Sequence, residues 1–158
     1  MNEYKHLRLT SIVPRNTTTG RVLEQMILPA LTQGGYRFQE QATIGKKMNG
    51  RNHRVDALVE CVDGPILVSL KWQQTNGTAE EKIPFEIINL MDACHGGFYK
   101  KAYLVLGGVD SISGSKQGGW TLRQWYISGG LKRFLEYQQL VEILLPEEFV
   151  ARANIGLL

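Results

Sequence analysis

The 158-residue chain is poor in cysteine: it holds only Cys61 and Cys94, with no CxxC pair and no paired Cys/His spacing. That count excludes a disulfide framework and gives no sign of a structural zinc site, so a reducing, cytoplasmic setting is expected. Long apolar runs are missing too; the run from Pro65 to Leu70, for instance, has Ser69 inside it. Such a run is far short of the roughly 20 residues of a bilayer span, and the start, MNEYKHLRLT, is polar, so no membrane association is expected. Charge of one sign is scarce as well. Eighteen Lys and Arg against fifteen Asp and Glu leave +3, so an anionic partner has to be held by a local basic surface. Repeats and low-complexity tracts are absent, and the glycine- and serine-rich stretch from Gly107 to Trp120 lacks the GxxxxGK[ST] spacing of a phosphate loop.

What is present suits one well-buried domain over 1–158, with 1–16 read as a flexible arm: 43% of the residues are hydrophobic. Thr17 to Thr19 offer caps for a helix in which Val22, Leu23, Met26, Ile27, Ala30 and Leu31 recur at helical spacing. Pro29 should kink or end it, and Gly34-Gly35 stops it. Three strand-like segments follow, 36–47, 54–62 and 66–73, separated by Asn49-Gly50 and Asp63-Gly64. Those dipeptides supply the positive φ angles of tight hairpins, which predicts an antiparallel meander.

Thr78-Ala79-Glu80-Glu81 is a capping-box pattern ahead of a second helix that ends near Gly96-Gly97, with Pro84 leaving its start open. Lys101 to Gly107 reads as a buried strand, 121–137 as a helix weakened at Gly129-Gly130, and Val141 to Leu145 as a short last strand. The expected class is α/β, a mixed sheet with one helix on each face. Trp125 and Tyr126 are expected to pack rather than to stack on bases.

Chemistry concentrates in two of these strands. Asp56 sits in the run Arg54 to Glu60, where burying an unpaired carboxylate is costly, and Lys71 follows fifteen positions later. Strand alternation puts Ser69, Lys71 and Gln73 on one face, opposite Val68, Leu70 and Trp72. A carboxylate that holds a hard cation, beside an ammonium that orients a nucleophile, suits metal-assisted attack on a phosphodiester. The same two residues would also serve as a structural ion pair between neighbouring strands.

Asp56, the Ser69-x-Lys71 triplet and the element order from about Thr17 to Gly107 together resemble the PD-(D/E)xK nuclease superfamily, in which an acid on one strand precedes an acid-x-Lys on the next. The resemblance implies a restriction-endonuclease-like α-β-β-β-α-β core and hydrolysis of DNA with Mg²⁺, for which Mn²⁺ can substitute. Val55 stands in place of a weakly kept proline, and Ser69 in place of the second acid. Some Ser-x-Lys restriction enzymes take that acid from the following helix, which here implies Glu86, fifteen positions after Lys71, with Glu81 second. By the same resemblance Asp56 and Glu86 would bind metal together with the Leu70 carbonyl. Glu24 would be an additional acid on the first helix, and Gln73 would orient water or touch phosphate. Alternatively, Glu86 pairs with Lys82 and Glu24 is a solvated first-turn acid.

Lys46, Lys47, Arg51, His53 and Arg54 crowd the first hairpin turn and, with Lys116, make the expected DNA-binding surface; the plainer alternative is a solvated loop. His53 is read as a surface residue or DNA contact rather than a base. Because one such site cuts one strand, a homodimer or homotetramer is expected. The implied activity is a site-specific endonuclease of restriction or homing type. The alternatives are a Holliday-junction resolvase and an inactive nucleic-acid-binding or assembly module that keeps the core.

Overall fold

The computed structural model describes residues 21–73, 78–108 and 122–158, without the side chains of 73, 78–81, 122 and 123. The proposed N-terminal arm, Lys116 with its loop, and the side chains of Gln73 and Glu81 lie outside the described residues.

The first helix, α1, is π-helical over Leu23–Ile27 and α-helical over Leu28–Gln33. Pro29 neither ends nor breaks it, because the widened turn ahead relieves the clash between its ring and the carbonyl four residues back. Gly35, at φ 77°, then turns the chain into the sheet.

Strands β1 (Arg37–Lys46), β2 (Asn52–Glu60) and β3 (Ile66–Gln73) form the predicted antiparallel meander. Helix α2 (Thr78–His95) carries the chain to β4 (Lys101–Gly108), which pairs parallel with β3. A short helix α3 (Leu122–Ile127) leads to β5 (Val141–Leu144), parallel to β4, and the sheet order is β1-β2-β3-β4-β5. Pro84 sits inside α2, which runs unbroken from Thr78.

Two expectations need correction. The helix over 121–137 stops at Ile127, since Gly129 takes φ 83° and the chain resumes only as a 3₁₀ turn at Lys132–Phe134. A last helix, α4 (Pro146–Asn154), was not expected at all. Its start was readable: Pro146 fits the first turn, and the Glu148 carboxylate accepts the Leu145 N–H at 3.0 Å.

The extra helix changes the layering, so that a face is not covered by one helix alone. One core joins α1 and α4 to Ala57, Val59, Val68, Leu70, Tyr103 and Val105. The other joins α2 and Tyr126 of α3 to Leu67, Leu104, Leu106 and Ile143, with Trp125 packed at its margin. β4 is buried on both faces, which explains its unbroken apolar run.

Gly107 lies so close to the Trp72 ring that a Cβ there would stand 2.4 Å from it. Gly107→Ala is expected to cost about 1–3 kcal/mol through forced repacking, read as an earlier urea midpoint with an unchanged slope.

Candidate active site

β2 and β3 part company at Asp56. Their pairing runs Val59↔Ile66, Leu58↔Leu67, Ala57↔Val68 and stops. Continued by one step it would set Asp56 against Ser69. Instead, the Asp56 Oδ2 accepts the Leu70 N–H at 2.6 Å, so a carboxylate does the work of a ladder carbonyl at the fork. On the β1 side, Oδ1 accepts from Gln41 Nε2 at 3.2 Å, and Gln41 holds φ 50°, rare for a residue with a Cβ. The strand turns over at this point: Ala57 and Val59 belong to the α1/α4 core, whereas Val55 belongs to the α2 core.

The tip of the β1–β2 hairpin thereby reaches α2, and Met48 N–H donates to Asn89 Oδ1 at 3.1 Å. Glu86 of α2 comes up beneath the fork on the buried stripe of Ile83, Ile87 and Leu90 and is 3% exposed. Ser69 Oγ donates to its Oε1 at 2.8 Å, and Lys47 Nζ stands 3.5 Å from its Oε2. His53 Nε2 lies 3.6 Å from Oε1. Burial pushes the Glu86 carboxyl up, but His53, Lys71, Ser69 and Lys47 outweigh it and hold the group down at about 2. An ionised carboxylate is therefore kept inside the protein, at the serine that replaces the expected strand acid.

Of the residues singled out from sequence, the fold gathers Glu86, Lys71, Ser69, Lys47 and His53 into one network, with Asp56 bonded to the Leu70 amide between Ser69 and Lys71. Glu24 is not brought in. It is exposed on α1, which packs on the opposite sheet face from α2. Lys46, Arg51 and Arg54 are exposed around the hairpin tip, Lys46 donating to Asn52 Oδ1 at 2.5 Å.

The expected surface position of His53 is corrected: it is 2% exposed. The signal was in the alternation His53, Val55, Ala57, Val59, which is the buried register of β2; starting the strand at Arg54 concealed it. Its Nε2 finds no hydrogen-bond partner among the described residues.

For a divalent cation, the carboxylates on offer are Asp56 at the fork and Glu86 beneath it. Among the described residues no group of three or more His, Cys, Asp or Glu side chains gathers that could hold a metal ion. A protein site of only two carboxylates leaves the rest of a Mg²⁺ shell to water and substrate phosphate.

Residues 15–156 match the PD-(D/E)XK nuclease superfamily domain. The chain belongs to the PD-(D/E)XK nuclease superfamily. The structure of Pyrococcus furiosus SfsA in complex with Ca²⁺ is similar at 23% sequence identity and a TM-score of 0.39, over 78% of this chain and 52% of that one. The chain thus spans about half the length of SfsA. No curated protein matches. As a superfamily member the chain carries a nuclease domain in which phosphodiester hydrolysis is the expected reaction and metal dependence is typical. No described helix is long and apolar enough to cross a membrane.

Proposed function

We propose that the chain is a Mg²⁺-dependent DNA endonuclease, with Mn²⁺ able to substitute, that acts site-specifically as a homodimer or homotetramer. The observation that carries this reading is the hydrogen bond from Ser69 Oγ to the Glu86 carboxylate, 2.8 Å long and buried. It means that a helix delivers a charged acid to the strand position where the triplet lacks one.

Asp56 and Glu86 would hold the cation, with the Leu70 carbonyl as a further oxygen donor. A bound cation there supplies Lewis acidity to the phosphate and lowers the pKa of water. Lys71 orients the attacking water and offsets charge that develops on the phosphate. The exposed Lys46, Arg51 and Arg54 meet backbone phosphates, which sets position on the duplex rather than sequence. Two copies related by symmetry then cut the two strands.

The test is incubation of supercoiled plasmid and junction substrates with Mg²⁺ or Mn²⁺. Wild type is expected to nick and linearise plasmid, and Lys71→Ala to slow this by about 10²- to 10³-fold. Cleavage that survives Lys71→Ala unchanged would remove the assignment. Binding without cleavage would favour an inactive binding module, and preference for junctions would favour a resolvase.

A further inference from the structure

We infer that Lys47 is a catalytic residue of this site, an ammonium that meets the phosphate being cut alongside Lys71, and that the buried side chain of Asn89 positions it. This rests on the nuclease reading of the same site.

The first ground is where Lys47 points. Lys46 and Met48 on either side of it are exposed, and Lys46 is engaged by the exposed Asn52. Lys47 turns the other way, its side chain 24% exposed and its Nζ 3.5 Å from Glu86 Oε2. Lys71 acts on the same carboxylate through its charge, so ammonium groups from the hairpin and from β3 face one acid. One of them suffices to neutralise it. The other is left for an anion, and in a nuclease site that anion is the phosphodiester, whose charge grows as it is attacked.

The second ground is the length of the contact. On the other side of the sheet Glu142 shows a closed ion pair: Lys101 Nζ comes to 2.8 Å and Arg152 Nη1 to 2.6 Å. Lys47 is less exposed than Lys101 and yet stands well off its carboxylate. A stretched pair with its head at the protein surface costs little to rearrange when a phosphate arrives.

The third ground is the latch. Asn89 is 2% exposed in the interior of α2, where asparagine is a poor helix former. Its Nδ2 donates to the Phe85 carbonyl at 2.6 Å, which fixes the amide so that Oδ1 accepts the Met48 N–H at 3.1 Å. Within the turn, the Lys47 N–H donates to the Arg51 carbonyl at 2.8 Å and the Lys47 carbonyl accepts from the Gly50 N–H at 2.9 Å. The backbone around Lys47 is thereby held as one piece, and Asn89 ties that piece to α2 less than one turn from Glu86.

The experiment is single-turnover cleavage of supercoiled plasmid by the full chain with Mg²⁺, run over a range of protein and salt concentrations so that saturating rate and half-saturation are read separately. Lys47→Met is expected to lower the saturating rate by about 10²-fold and to reduce the salt slope of half-saturation by about one, as loss of one phosphate contact does. Asn89→Ala is expected to lower the saturating rate by about 10-fold, and to lower it no further when added to Lys47→Met. A merely structural Asn89 would slow both backgrounds by the same factor, and that result overturns its positioning role. A wild-type saturating rate in Lys47→Met, or a lowered rate with the salt slope unchanged, overturns the catalytic assignment and leaves the nuclease reading standing. A wild type that cleaves with neither Mg²⁺ nor Mn²⁺ sinks both. Should Asn89→Ala fail to fold, Asn89→Leu, of similar volume and without an acceptor, takes its place in the cycle.

Discussion

Asp56→Asn is expected to lower cleavage by at least about 10²- to 10³-fold while leaving the fold nearly as stable as wild type. Its Oδ1 can still accept the Leu70 N–H, and Gln41 can turn its amide to match the new Nδ2. What disappears is the negative charge that a cation needs. Asp56→Ala is expected to lose both properties, because the amide at the fork is then left without an acceptor, at about 1–3 kcal/mol. Single-turnover cleavage and urea denaturation on the same two variants separate the roles. Near-wild-type cleavage by Asp56→Asn would show that the carboxylate serves only to close the sheet at the fork.

Glu86→Gln is expected to abolish cleavage and also to destabilise the protein by about 1–3 kcal/mol. Read from the sequence, the substitution is expected to leave folding largely intact, although helical spacing puts Glu86 toward the buried stripe. The buried network changes that expectation: without the carboxylate, Lys47 and Lys71 lose their counter-charge, and the new amide turns donors toward donors. The sign with pH follows from the lowered carboxyl. Ionised Glu86 contributes its full share above the ordinary value of 4.5, and the share is lost as pH falls toward about 2. The stability gap between wild type and Glu86→Gln should therefore be widest at neutral pH and narrow steadily below about pH 4.5. Denaturation curves at pH 7, 4 and 3 check it, and a gap independent of pH would mean that Glu86 is not the charged centre of the network. Should Glu81→Gln abolish cleavage instead, the acid comes from one turn earlier in α2.

Much of this site was legible without coordinates. The meander followed from Asn49-Gly50 and Asp63-Gly64, whose conformational freedom fixes tight turns locally. Glu86 could be singled out because helical spacing put it beside Ile83 and Leu90 and because the triplet lacked an acid. Other features were out of reach. The fork at Asp56 depends on where β2 stops pairing with β3, which no single strand encodes. Lys47 looked like a loop cation because its neighbours are charged; only the reach of the hairpin over α2 shows that it faces Glu86. Glu24 had helical spacing similar to that of Glu86, yet its helix packs on the other side of the sheet.

Local chemistry by itself determined the order of the core elements, the antiparallel pairing and the short list of acids and bases, because turn residues and apolar periodicity act over a few positions. Tertiary structure alone decided which of those charges meet. A buried carboxylate stays ionised only where donors from separate elements converge on it, and here they come from the β1–β2 hairpin, β3 and α2. Convergence of that kind is a property of packing between segments far apart along the chain.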